Sequence, residues 1–182
     1  QVKSFEENIS DNMRVAEKAK GSIRQTLLSI NRAIERQIRF IPEENLNENL
    51  VEMCNELNLD RINVVDETGI TRWSSDEDGL SYDFNSEESS RESLQGLTDK
   101  NYTQVVENIH TPEGKIMHFT LVARQDKSGL VQIGIDAANL EGINTNVSIV
   151  DTAKAMKFGD NGTIMVIDKE GIIQNHSDQN LI

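Results

Sequence analysis

Residues 62–76 read INVVDETGITRWSSD, and residues 164–178 read IMVIDKEGIIQNHSD. Each is a short apolar run, an Asp, two polar residues, a Gly followed by Ile, and a polar segment closing on Ser-Asp. At an offset of 102, seven of fifteen positions are identical: Ile62/Ile164, Val64/Val166, Asp66/Asp168, Gly69/Gly171, Ile70/Ile172, Ser75/Ser177 and Asp76/Asp178. Val and Ile suit a pleated, half-buried strand. The Asp-x-x-Gly step supplies a side-chain hydrogen bond and the permissive φ of a tight reversal. Each copy therefore predicts a β-hairpin. Two at domain-sized spacing predict one fold used twice; chance recurrence of a common turn is the competing account.

Outward from the first hairpin, the N-terminal side predicts a long helix over 4–41. Ile9, Met13, Ala16, Ile23, Leu27, Ile30, Ile34 and Ile41 form a heptad seam, interrupted by Lys20 and Gln37 and broadened by Leu28, Ala33 and Ile38. About 38 helical residues would reach roughly 57 Å, more than one small domain requires. Such a helix lies along stacked lobes or pairs with a second copy as a coiled coil. Pro42 ends it. A second, short helix is expected around 43–58, carrying Leu46, Leu50, Met53, Cys54 and Leu57 on one face.

After the hairpin, DEDGLSYDFNSEESSRES is acidic and Ser-rich, predicting a loop to about 85 and a short helix from Ser86. TQVVENIH, KIMHFTLVAR and LVQIGID then read as three strands joined by turns at TPEG and QDKSG. With the first hairpin they make a five-stranded antiparallel sheet. Residues 137–156 read as a helix, with a break at Gly142. The second hairpin lacks three following strands, so it reads as the start of a lobe cut short.

The 182 residues carry 31 acidic against 18 basic side chains, a net charge of −13. That disfavours a phosphate-tracking nucleic-acid surface and direct adhesion to an anionic bilayer. A single cysteine, Cys54, rules out an internal disulfide and a multi-thiolate metal site; within EMCNEL it reads as a buried, inert thiol. No apolar run approaches the roughly 20 residues of a spanning helix, and the chain begins inside a helical pattern, as an excised soluble segment would.

Catalysis finds no support. His110, His118 and His176 fall in separate strands or turns, and neither G-x-S-x-G nor H-E-x-x-H occurs. Asp76-Glu77-Asp78-Gly79 lacks the ligand spacing of a calcium loop, and Gly159-Asp160-Asn161-Gly162 lacks the Lys of a phosphate loop. No metal or cofactor is expected. Hydrolase activity would need a nucleophile-base pair that the sequence does not display.

The long helix, INVVDETGITRWSSD, GLSYDFNS, the strand ending LVQIGID, and FGDNGTIMVIDKEGIIQNHSD together resemble the double Cache sensor domains. These are PAS-like extracytoplasmic modules of bacterial receptors such as chemoreceptors and sensor histidine kinases. Gly159 to Ile172 is similar to the opening of their membrane-proximal lobe, although His176-Ser177-Asp178 stands where His-Pro-Asp is common. The resemblance implies an α+β fold: a long N-terminal helix (1–42), a distal PAS-like lobe (43–150) and the first part of a second PAS-like lobe (151–182). It implies a small molecule, such as an organic acid or amino acid, held between sheet and loop-helix flap. It also implies a homodimer through the long helix and membrane attachment through flanking segments. Amino-acid-binding members carry an aromatic-Arg-aromatic pattern and an Asp near the last strand; Arg72-Trp73 and Asp136 match it only in part. The alternative is a ligand-free dimerisation and signal-transmission module.

Polar or aromatic residues in or beside apolar strands, and in the flap, are the candidate ligand contacts: Trp73, Ser75, Tyr82, Asp83, Arg91, His118, Thr120, Arg124 and Asp136. Arg would grip a carboxylate, and Trp or Tyr would stack on a ring. Against this, His118 and Thr120 share a strand face with Ile116 and Val122, and Arg124 has Asp126 for a partner.

Overall fold

Helix α1 runs from Val2 to Ile38 without a proline, in a computed structural model that describes residues 2–111, 114–140, 165–167 and 173–176. Leu27, Ile30, Asn31, Ile34 and Ile38 recur at three- and four-residue spacing and are buried, which makes one face of its C-terminal half the packing face. The helix stops three residues before the predicted end. Phe40 and Ile41 donate instead to Gln37 and Ile38 carbonyls (3.1 and 3.3 Å), closing a turn that delivers Pro42 in extended geometry (φ −56°, ψ 140°). A 3-10 turn, Glu43–Asn45, then leads into α2, Leu46–Glu56. Cys54 is buried there; its thiol donates to Leu59 O at 3.1 Å, and burial raises its pKa.

Five strands follow: β1 (Arg61–Val65), β2 (Thr71–Ser74), β3 (Thr103–His110), β4 (Ile116–Ala123) and β5 (Leu130–Asp136). They form one sheet in the order β2-β1-β5-β4-β3 with antiparallel neighbours. The excursion between β2 and β3 holds α3 (Glu88–Arg91) and the 3-10 segment Glu92–Leu97. Two further strands, β6 (Met165–Ile167) and β7 (Ile173–His176), pair as a separate hairpin. The helix expected over 137–156 is described only at its start, where Ala137–Asn139 form a 3-10 turn; its remainder lies outside the described residues.

The sheet is covered on both faces. One face presents Ile62 and Val64 of β1, Val122 of β4, and Val131, Ile133 and Ile135 of β5 to Leu27, Ile30, Ile34 and Ile38 of α1 and Leu50 and Met53 of α2. The opposite face presents Val65, Leu121 and Leu130 to Phe84, Leu94, Leu97 and Tyr102 of the 76–102 excursion, hereafter the flap. Fully buried strands of this kind lose the in-out polarity that a one-sided sheet shows.

The repeat is structural. The first hairpin pairs Asn63 with Ser74, Val64 with Trp73 and Val65 with Thr71, slipping register between Val64 and Val65. The second pairs Met165 with His176, Val166 with Asn175 and Ile167 with Ile173, slipping between Val166 and Ile167. Every pair and the bulge recur at the 102-residue offset of the sequence.

Asp66 shows why the turn needs its residues. Its carboxylate accepts from Thr68 N (2.8 Å), Thr68 Oγ1 (2.6 Å) and Ile70 N (3.1 Å), and from Arg72 Nε. Gly69 follows at φ +86°. Burial alone would raise the pKa of Asp66, but these donors outweigh it and hold the group at about 2. A folded pKa below the unfolded value means stability present above pH ~4 and lost as pH falls towards 2, worth about 2 kcal/mol. Urea unfolding at pH 7 and pH 3 should therefore show a smaller acid loss for Asp66→Asn than for the wild type. Equal losses would refute this account of the turn.

Candidate ligand site between sheet and flap

Under the flap, three neighbouring strands each place one neutral polar side chain in the same row. Ser74 Oγ of β2 donates to Asn63 Oδ1 of β1 (2.7 Å), and Asn63 Nδ2 donates to Gln132 Oε1 of β5 (2.8 Å). Asn63 and Ser74 are each 4% exposed. Their pairing across strands, Asn63 with both Ser74 and Gln132, puts all three on one face, because directly opposed residues share a face. One pleat along, Thr71 lies opposite Val65, and its buried Oγ1 has no hydrogen-bond partner among the described residues. At the far side of the sheet Gln104 of β3 accepts from Ser93 Oγ of the flap at 2.6 Å.

The flap lies directly on this row. A Cβ added at Gly79 would stand 2.5 Å from both Asn63 Oδ1 and Ser74 Oγ, so the backbone there approaches as only glycine permits. A Cβ at Gly134 of β5 would stand 2.5 Å from the Phe119 ring, so on the flap-covered face β5 has no side chain between Gln132 and Asp136. Around the polar row the lining is apolar: Val65, Leu121, Leu130, Phe119, Val106, Leu94 and Leu97. Beside it Arg61, opposite Gly134, bonds Asp76 through Nε at 3.1 Å and through its Nη2. Burial would raise the Asp76 pKa, but the Asp78 amide and Arg61 lower it on balance. Chemically, this is a small set of amides and hydroxyls enclosed by apolar side chains where the flap packs on the sheet.

The nine predicted contacts are not gathered in one place. Trp73 lies opposite Val64 and packs on the helix-covered core, with Lys127 Nζ 5.6 Å from its ring centre. His118 and Thr120 lie opposite Ile135 and Ile133 on that same face. The Thr120 hydroxyl accepts from Asn31 of α1 at 3.1 Å. Ser75 Oγ accepts from Ile62 N (2.9 Å). Arg124, 4% exposed, is bidentate on Asp126 (3.1 and 2.7 Å).

In the flap, Asp83 and Arg91 share Asn85 as a partner, and Tyr82 packs on Phe84 beside them in the chain. The Tyr82 ring stands edge-on to Phe84 (5.1 Å, 86°). Asp83 accepts from the Asn85 backbone and side chain (both 2.8 Å), and Arg91 Nε donates to Asn85 O (2.9 Å). Asp136 sits beyond Gly134, accepting from Ala138 N at 2.9 Å.

Asn63, Ser74, Thr71, Gln104 and Gln132 are absent from the sequence-based set. For Asn63 and Gln132 a signal existed. Each is a lone amide inside a Val/Ile strand, INVV and LVQIGID, where an amide must find partners when buried. Among the described residues, no three of His, Cys, Asp and Glu are grouped as metal ligands are.

No protein-family model and no curated protein sequence matches the chain. By structure it is similar to the sensory domain of the Campylobacter jejuni chemoreceptor Tlp3 with isoleucine bound. The TM-score is 0.55 at 18% identity, covering 98% of this chain and 73% of that one. The ligand-binding domain of Tlp3 in complex with L-norvaline gives a TM-score of 0.51 at 17% identity, covering 98% and 72%. The Escherichia coli DcuS sensor domain overlaps less, with a TM-score of 0.47 at 16% identity, covering 70% and 98%. The fold is α+β and PAS-like. More narrowly, it is the fold seen in the Tlp3 sensory domain.

Proposed function

We propose that this chain is the extracytoplasmic small-molecule-sensing domain of a bacterial membrane signalling receptor. The ligand lies between the sheet and the 76–102 flap of the first lobe. The observation that supports this is the row Ser74–Asn63–Gln132, with a Thr71 hydroxyl that has no hydrogen-bond partner among the described residues, enclosed by apolar side chains where the flap meets the sheet. Tyr82, Asp83 and Arg91 would contact the ligand from the flap and Asp136 from the end of β5. Trp73, Ser75, His118, Thr120 and Arg124 act from the helix side, through packing. Residues 1–42 serve as the dimerising stalk, 43–150 as the distal sensing lobe and 151–182 as the start of a membrane-proximal lobe, with attachment through flanking segments.

Tlp3 has been described with isoleucine and L-norvaline bound, so amino acids head the panel to be tested here, followed by organic acids. A specific observation also supports the ligand-free alternative: the amide row is already satisfied within itself while the flap rests on it. A thermal-shift screen of the 182-residue chain separates the two. A ligand at a hundredfold its Kd stabilises the folded state by about 2.7 kcal/mol, several degrees in a domain of this size. Gln132→Ala should abolish that shift; because it also removes the acceptor of Asn63 Nδ2, its unliganded midpoint should fall, and the ligand response is read against the variant's own unliganded baseline. Silence across both compound classes would favour the transmission module.

A further inference from the structure

Flap and α1 cover opposite faces of the sheet, so a movement of one reaches the other through the sheet or around its end. The turn between β4 and β5, residues 124–129, stands at that end and is bonded to both.

On the flap side, Ser128 Oγ donates to Leu97 O (2.8 Å). Lys100 Nζ donates to the carbonyls of Arg124 (2.7 Å) and Lys127 (2.6 Å), and Gln125 Nε2 donates back to Lys100 O (2.6 Å). On the helix side, Gln125 N donates to Glu35 Oε1 of α1 (2.8 Å). Glu35 is 3% exposed, and Arg39 donates to both of its oxygens, to Oε1 through Nε at 3.0 Å and to Oε2 through Nη2. Lys127 Nζ reaches Glu43 just beyond α1 (2.5 Å). Gln125 is thus gripped from both sides, through its side chain by the flap and through its backbone by the helix.

The turn is itself stiff. Arg124 is buried and bidentate on Asp126, Arg124 N donates to Gly129 O (2.9 Å), and Gly129 at φ +145° abuts the Val65 carbonyl. A rigid piece bonded at both ends transmits displacement, and a buried carboxylate such as Glu35 is costly to leave without its donors.

We infer that the β4–β5 turn is the mechanical link that couples flap position to α1, with Gln125 and Glu35 at its centre. As a signalling route this rests on the sensing function proposed above; as a coupling it needs no ligand to be seen.

Hydrogen–deuterium exchange on the 182-residue chain tests it. Lys100→Met and Ser128→Ala each weaken the turn's hold on the flap without touching α1, leaving Gln125 Nε2 on the Lys100 carbonyl. Both should speed exchange roughly threefold or more at residues 31–38 of α1 as well as at 92–99, leaving 62–65 of β1 at wild-type rates. Glu35→Ala should produce the reciprocal rise in the flap. Ser128→Ala removes one hydroxyl, so it carries the test if Lys100→Met fails to fold. Changes confined to the flap, or a uniform rise that includes β1, would overturn the link. A ligand response in the thermal screen would survive either result.

Discussion

Asn31→Asp is expected to destabilise the lobe by about 4 kcal/mol at neutral pH, and to regain part of that loss in acid. Asn31 is fully buried on the sheet-facing side of α1. Its Nδ2 donates to Thr120 O (2.8 Å), Thr120 Oγ1 (3.1 Å) and Val131 O (3.1 Å), spanning two central strands. Its Oδ1 has no partner among the described residues. Aspartate would replace the amide's donors with a second acceptor facing carbonyl oxygens, and would bury a charge with no counter-ion. That environment disfavours the ionised form, so the folded pKa of the introduced acid must lie above its unfolded value near 4. The penalty is then complete above the folded pKa and is relieved as pH falls through it. Urea unfolding at pH 7 and pH 5, with Asn31→Ala as the neutral control, reads this directly. An aspartate variant as stable as wild type at pH 7 would contradict the contact.

Gly129→Ala should cost about 3 kcal/mol, from backbone strain together with a clash. The residue sits at φ +145°, and an added Cβ would stand 2.5 Å from the carbonyl oxygen of Val65. That oxygen belongs to a strand held on both sides, Val65 opposing Thr71 and Leu130, so it has nowhere to retreat. Gly114 is the contrast: its φ is +82°, yet nothing lies within 4 Å of an added Cβ. Alanine there should cost only the left-handed backbone preference, about 1 kcal/mol. Thermal unfolding of the two variants side by side separates clash from strain, and equal losses would show that the Val65 contact is not felt.

The architecture was legible because its signals are local. The D-x-x-G turn needs the Asp66 carboxylate on nearby amides and a positive φ at Gly69, and both requirements are written within five residues. The hairpin's repetition therefore survived as a pair-for-pair register. In α1, Leu27, Ile30, Ile34 and Ile38 mark the buried face by helical spacing alone. The helix ends three residues before the apolar pattern does, because Ile41 continues that pattern while the turn at Phe40 is set by the approach to Pro42.

Which face of the sheet each candidate residue occupies was not legible in the sequence, and Trp73, His118 and Thr120 show why. Alternation along a strand sorts its residues into two sets but does not say which set meets which neighbour. In a sheet with one wet face, polarity breaks that tie. Here α1 and α2 cover one face and the flap the other, so Val64 and Val65 are equally buried although they point opposite ways.

By itself, the sequence determined the long helix, the five strands of the sheet, the hairpin repeat, the α+β order and the buried side of α1, because each depends on spacing within a few residues. Only the tertiary structure decided that Ser74, Asn63 and Gln132 form one row beneath Gly79, and that Gln125 lies between Lys100 and Glu35. Those contacts join residues 11 to 90 positions apart, and no local pattern encodes which distant amide will face which.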